Sequence, residues 1–216
     1  VLNAADPLVV DMAEHCPGSV IFFARDNLHH PVLATHHAQH KRVIYLQGQH
    51  IVASGENGEH KIALKNIPLT QDGSIYFQVE NAMAAIGAAW ALGFDWKVIR
   101  EGLSSFISDS QTAPGRFNLF NYRNATLIAD YGHNPDAIQA LVSAIDNIPS
   151  KKRSVVISAA GDRRDEDIRL QTRIIGDAFD KVVLYQDQCQ RGRADGEVIS
   201  LLREGLGNAS RTRKVS

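Results

Sequence analysis

The sequence predicts an α/β protein built in two parts, with a mainly parallel sheet in the second. Three observations lead there. Short apolar runs alternate with helical patterns after Gly115, two helical segments, the first rich in alanine, precede that point, and a polar stretch ending in Pro114-Gly115 separates the two.

Asp6-Pro7 stands before the apolar stretch Leu8 to Ala13, as an N-cap aspartate with proline at the first helical position does, so a short helix is expected to about His15. Pro17-Gly18 ends it, and Val20 to Phe23 reads as a buried strand. Val32 to Thr35, Val43 to Leu46, Ile51-Val52 and Lys61 to Leu64 are short and turn-bounded, and are expected to be small antiparallel strands. Val79 to Leu92 is rich in alanine and free of proline, which predicts a closely packed helix stopped by Gly93; a second helix is expected from about Asp95 to Phe106. The break at Pro114-Gly115 predicts a domain boundary, giving parts 1–113 and 114–216.

Beyond it, Phe117 to Tyr122 and Thr126 to Asp130 read as strands and Asp136 to Ile148 as a helix. Ser154 to Ala159 (strand), Asp165 to Phe179 (helix), Lys181 to Tyr185 (strand) and Glu197 to Glu204 (helix) follow. Strands spaced by helices imply βαβ units, a sheet covered on both faces, and ligands gathered at the carboxyl ends of the strands. The chain stops where another strand is expected, which predicts a sheet lacking an edge strand, and its two ends read as those of a fragment.

With 23 basic and 24 acidic residues the formal net charge is -1, which gives no general attraction to nucleic acid or an anionic membrane, so a bound phosphate must meet a local site. The apolar share of 44% can supply a core, and no apolar run approaches a membrane span. Cys16 and Cys189 form no CxxC pair, the usage of a reducing, cytoplasmic compartment.

Three strand-end loops carry polar residues. In Asp130-Tyr-Gly-His-Asn-Pro-Asp136, Asp130 can accept from sugar hydroxyls and His133 can face an anion at a helix start; Asn134 can equally be only an N-cap and His133 a surface residue. Gly161-Asp162-Arg163-Arg164-Asp165-Glu166-Asp167 can bind a charged ligand or be a solvated turn. Asp187, Arg191 and Arg193 in the third loop can grip an amino-acid zwitterion, or belong to a flexible polar segment. Arg116 follows the Pro-Gly break and can reach a nucleotide bound between the two parts. Six histidines fall between His29 and His50, but no HExxH or histidine-cysteine cluster accompanies them, so no metal site is expected there. Neither GxGxxG nor GxxxxGK[ST] occurs, which argues against a dinucleotide oxidoreductase or a self-sufficient nucleotidase.

Six collinear strings, VLNAADPLV at Val1, FQVENAMAA at Phe77, PGRFNLF at Pro114, DYGHNPDAI at Asp130, GDRRDED at Gly161 and RGRADGE at Arg191, together resemble the Mur ligase superfamily and, more narrowly, its cyanophycin synthetase branch. The resemblance covers almost the whole chain. It implies that residues 1–113 are the later portion of a Mur-type central ATP-binding domain and that 114–216 are a truncated Rossmann-like C-terminal domain. It also implies an ATP-dependent ligase in which ATP phosphorylates a carboxylate and an amine attacks the acyl phosphate to give an amide. Within that branch the amine is arginine and the acceptor a poly-aspartate backbone. The intact enzyme is then expected to be a homo-oligomer with Mg2+ held mainly by upstream residues, and this portion is expected to be inactive alone.

By the same resemblance Asn81 contacts adenine, Arg116 lies near ribose and phosphates, Asp130 holds the ribose hydroxyls, and His133 and Asn134 face the reacting centre. Asp162, Arg163, Asp187, Arg191 and Arg193 lie where the incoming amino acid is chosen, with acidic groups suited to arginine. The wider family carries HNxxN where this chain has Phe77-Gln78-Val79-Glu80-Asn81, which leaves Gln78 without an assigned role. Competing implications are a folylpolyglutamate synthetase, a peptidoglycan-precursor ligase, or a noncatalytic nucleotide-binding or assembly domain.

Overall fold

The computed structural model describes residues 1–188, 190–207 and 209–216, which leaves Cys189 outside the described residues; Cys16 is an exposed free thiol. The chain divides into two compact units, Val1–Pro114 and Gly115–Ser216.

The first unit is a five-stranded sheet between helices. Strands β1 (Leu2–Asn3), β2 (Phe22–Ala24) and β3 (Val43–Gln47) run parallel, and β4 (His50–Gly55) and β5 (Gly58–Ala63) continue antiparallel in the order β1-β2-β3-β4-β5. Period-two alternation divides their side chains between two cores. Phe23, Ile44, Ile51 and Ala53 meet Val79, Ala82, Met83 and Ile86 of helix α3 (Tyr76–Ala91) and Ile99 of α4 (Trp96–Ser105). Phe22, Val43, Tyr45 and Val52 meet Leu33 on the opposite face. Each fully buried aliphatic of this set contributes about 1.5–3 kcal/mol relative to exposure.

The capping signals act as expected in this unit. The Asp6 carboxylate accepts from the Leu8 and Val9 amides at 2.9 and 3.4 Å, starting α1 (Pro7–Asp11), which runs into a 3-10 turn ending at His15. Asp95 caps α4 through the Lys97 amide at 2.7 Å, and Gly93 takes the left-handed conformation that ends the helix before it. The stretch around Val32 to Thr35 is not a strand: it lies in helix α2 (Pro31–Ala38). Proline at its first position presets the helical φ, and Leu33 and His36, one turn apart, bury the same face.

The second unit opens with an antiparallel hairpin, β6 (Asn118–Tyr122) and β7 (Ala125–Ala129), turning at Arg123 with φ +53°. Helix α5 (Pro135–Asp146), β8 (Ser154–Ile157), α6 (Asp165–Ala178), β9 (Lys181–Leu184) and α7 (Glu197–Leu206) then alternate. A short strand β10 (Lys214–Val215) pairs with β9, so the expected absence of an edge strand there is corrected: the sheet β10-β9-β8 is wholly parallel. Ala159, Ile168, Val198, Leu201 and Leu202 form its helix-facing core. Ile157 and Leu184 are register partners, so the loops that follow β8 and β9 emerge from one edge of the sheet. Among the described residues no helix is long and apolar enough to cross a membrane.

Candidate functional site

The end of β7 is stapled to the segment that opens the unit. One Asp130 carboxylate oxygen accepts from the Phe117 amide at 2.9 Å and the other from the Gly132 amide at 2.7 Å. The Tyr131 amide donates to the Gly115 carbonyl at 2.8 Å, and the buried Asn118 side chain accepts from the Gly115 amide at 2.7 Å. These bonds hold Phe117 buried although its φ is +51°, a left-handed value unfavourable for a bulky residue. Gly132 fits because a Cβ there would sit 2.9 Å from the Asp130 oxygen. Asp130 thus organises two backbone segments, and each of its oxygens keeps lone-pair capacity for a further donor.

Arg116 and His133 both lie near the Tyr131 ring. Arg116 is exposed, with its guanidinium carbon 5.7 Å from the centre of the Tyr131 ring, and His133 sits 5.3 Å from that ring on its other neighbour's side of the sequence. His133 Nδ1 lies 3.0 Å from the Tyr131 carbonyl oxygen; a carbonyl only accepts, so Nδ1 carries the proton and Nε2 is the acceptor of the neutral ring. Asn134 is the N-cap of α5, its side-chain oxygen accepting from the Ala137 amide at 2.8 Å, with Pro135 following. The oxygen of Asn134 is therefore committed to the helix start, where backbone amides and the helix dipole favour an anion.

In the first unit Asn81 stands exposed on α3, and its Nδ2 donates to Gln78 Oε1 at 2.9 Å. Gln78 is buried, a polar side chain inside an otherwise apolar helix face. Asn81 also borders a pocket of about 410 Å³ between α3 and α4 whose other lining includes Ile67, Leu69, Ala85, Ile86 and Phe94. On the same helix Glu80 pairs with Arg25 at 2.8 Å, and that guanidinium lies 4.7 Å from the Tyr76 ring centre. A glutamine three residues before an asparagine is within side-chain reach on a helix, a signal the sequence holds.

The loops after β8 and β9 are laced together by arginines. Arg191 donates to Asp162 at 2.7 Å, and this guanidinium holds the Asp162 carboxyl below the usual carboxylate range. Arg193 donates through Nε to the Gly161 carbonyl at 2.6 Å and through Nη2 to the Arg163 carbonyl at 2.7 Å. It also reaches Glu197 at 2.6 Å and Asp165 at 2.8 Å, and its side chain is only 16% exposed. Its hydrogen bonds to the carboxylates of Asp165 and Glu197 hold its pKa above the ordinary arginine value. These bonds make Arg193 a staple between the two loops. Asp162 meets a guanidinium of its own chain, and Asp187 is exposed on the loop after β9. Arg163 has its Nε buried without a protein partner, the same state as Gln190 Oε1 across the loops. Gly161 was not among the predicted site residues, yet a Cβ there would collide with the Gln190 carbonyl, so only glycine lets the loops meet.

The histidine-rich region is structural where its bonds are seen. His36 Nε2 donates to the Val20 carbonyl at 3.0 Å while its ring meets Phe22 edge-on, and His37 Nε2 lies 2.9 Å from the Ser54 hydroxyl. Burial pushes the His36 pKa below its ordinary value. Among the described residues no group of three histidine, cysteine or acidic side chains is placed to hold a metal ion.

Residues 115–215, the unit that carries the Asp130 loop and the arginine-laced loops, match the Mur ligase, glutamate ligase domain. The chain belongs to the Mur ligase superfamily. Within it, the chain is 35% identical over 209 residues to cyanophycin synthetase of Geminocystis herdmanii, an alignment covering 95% of this chain and 24% of that protein. It is 31% identical over 131 residues to the UDP-N-acetylmuramoyl-L-alanyl-D-glutamate--2,6-diaminopimelate ligase of Caldanaerobacter subterraneus, covering 60% of this chain and 26% of the relative. The chain thus spans about a quarter of the length of these curated relatives. Among solved structures, E. coli FolC in complex with ADP superposes with a TM-score of 0.60 at 20% identity, over 96% of this chain and 41% of that one, which establishes the shared fold.

Proposed function

We propose that the chain is part of an ATP-dependent amide-bond ligase of the cyanophycin synthetase type, which joins arginine to the side-chain carboxylate of aspartate in a poly-aspartate acceptor. The observation that carries this reading is the extent of the likeness: the cyanophycin synthetase alignment runs through 95% of the chain and both units, whereas the diaminopimelate ligase alignment covers 60%. In this reading residues 1–113 are the later portion of the central ATP-binding domain and 114–216 the C-terminal domain, working in the cytoplasm as a homo-oligomer.

Each unit, taken by itself, offers groups suited to a nucleoside triphosphate. Asn81 offers a carboxamide at the rim of an apolar pocket for a base. Asp130 offers oxygens, already fixed by two amides, to ribose hydroxyls, and Arg116 offers a positive charge near the Tyr131 ring. Bound ATP supplies the phosphoryl group that activates the acceptor carboxylate. The residues of this chain then contribute position and charge: His133 Nε2 is an acceptor for a proton from the incoming amine, and the α5 start, capped by Asn134, favours developing negative charge. Asp162, Arg163, Asp187 and Arg191 form the polar edge that meets the amino acid. In this reading Mg2+ is held mainly by upstream residues.

The reading is tested by phosphate release from ATP in the complete enzyme with a poly-aspartate primer. Arginine is expected to support turnover while lysine, glutamate and diaminopimelate do not. Turnover with diaminopimelate or glutamate in place of arginine would move the chain to the peptidoglycan or folylpolyglutamate branch, and folded protein without any turnover would favour a noncatalytic domain.

A further inference from the structure

A carboxamide has two orientations that are nearly identical in shape and opposite in chemistry, since a half-turn exchanges its oxygen for its NH2 group. On an open helix surface water supports both, and such a side chain selects nothing. Asn81 is exposed, but its carboxamide also has a protein partner. Gln78, one turn earlier and only 5% exposed, presents Oε1 to Asn81 Nδ2 at 2.9 Å, and an acceptor there holds the NH2 end inward. With one N–H given to Gln78, Asn81 keeps its oxygen and its second N–H side by side in one plane, an acceptor next to a donor.

That pair is complementary to a purine edge with an amino group at position 6 and an acceptor at N7, the pattern that asparagine reads bidentately on adenine. It mismatches a 6-oxo purine, whose oxygen would face the Asn81 oxygen. The adjoining pocket supplies apolar walls, and Asn81 is the one polar side chain among its lining residues, so discrimination at the base edge falls on this carboxamide.

We propose that Gln78 is the positioning residue that fixes the orientation of the Asn81 carboxamide and thereby sets the choice of a 6-amino over a 6-oxo purine nucleotide. The inference rests on the nucleotide reading of Asn81 given above. Gln78 itself touches no ligand; it acts through its neighbour.

The test compares ATP with ITP in the complete ligase as a ratio of kcat/KM. Gln78→Met keeps volume and removes the acceptor, and is expected to lower the ATP-to-ITP ratio about tenfold, the size of one lost hydrogen-bond preference. Gln78→Glu keeps an acceptor at the same atom and is expected to retain the ratio within about twofold, although a buried carboxylate disturbs packing more than methionine does. A merely structural role predicts the reverse order. Asn81→Ala is expected to abolish the preference. If Asn81→Ala removes it and Gln78→Met leaves it intact, the positioning role is wrong and the nucleotide reading survives. If Asn81→Ala also leaves the ratio unchanged, Asn81 does not read the base and both fall.

Discussion

Replacing Arg193 by alanine is expected to unfasten the two loops at the carboxyl edge of the β8-β9 pair. The guanidinium serves two backbone carbonyls, of Gly161 and Arg163, and two carboxylates, of Asp165 and Glu197. Hydrogen bonds from a charged donor contribute about 1.5–3 kcal/mol each, so the two carbonyls account for about 3–6 kcal/mol before relaxation. The carboxylate partners are 51% and 43% exposed, and such pairs add about 0–1 kcal/mol each. Loops relax and water reaches the freed carbonyls, so a net loss of about 3 kcal/mol is expected. For a unit of this size 1 kcal/mol moves the midpoint by about 4–8 °C, which puts the fall in Tm of the second unit at about 12–24 °C. Arg193→Lys keeps the charge but not the fork, and is expected to lose about half as much. Calorimetry reads the midpoint, and hydrogen exchange at residues 160–164 and 193–197 reads the loops. An unchanged Tm and unchanged exchange, with a raised KM for the amino acid, would show that this guanidinium binds ligand and that the staple is an incorrect account.

Three further outcomes are expected. Asp130→Ala removes the acceptor shared by Phe117 and Gly132, so it is expected both to raise the nucleotide Kd by about tenfold and to speed hydrogen exchange at those two amides; a changed affinity with unchanged exchange would separate ligand binding from loop support. Asp162→Ala in the complete enzyme is expected to raise the arginine KM more than the ATP KM, and Arg191→Ala, by freeing the carboxylate, to change it in the same assay without moving the ATP KM; arginine kinetics indifferent to both would exclude this ion pair from amino-acid choice. His36 has its pKa lowered below 6.5, first by burial, so the unfolded chain takes up a proton that the folded chain resists. Its contribution to stability is therefore intact above about pH 6.5 and lost as pH falls below it, and His36→Gln is expected to flatten the pH dependence of the first unit's Tm between about pH 7.5 and 5. An identical slope in the variant would assign the acid sensitivity to other groups.

The elements most legible in the sequence were those whose ends carry their own chemistry. Asp6-Pro7, Asp95 and Asn134-Pro135 each announce a helix start, and all three cap as their residue types require. Helix α2 was hidden because Val32 and Thr35 are β-branched and its apolar residues make no long stripe; only Pro31 pointed the right way. Strand β10 is two residues long and has no periodicity to read. At the candidate site, Asp130 was visible as an acid at a strand end, but nothing local says that its first partners are the amides of Phe117 and Gly132, because one of them is 13 residues away. Arg193 illustrates the same limit. A motif rich in opposite charges cannot tell a ligand grip from an internal clamp, since both demand arginine and carboxylates; the decision lies in burial and in which donors are already used.

The close approach of Gly161 to the Gln190 carbonyl has a consequence for how these loops respond to a ligand. The path of one loop is the wall against which the other is laid, with the Asp162–Arg191 pair and the Arg193 donors crossing the contact. Loss of these ties is expected to loosen both loops together. A molecule that engages either loop meets a surface whose ordering entropy is shared between both, so the loss of freedom is incurred once, and a grip on residues near 162 tightens residues near 191 without any further bond being made.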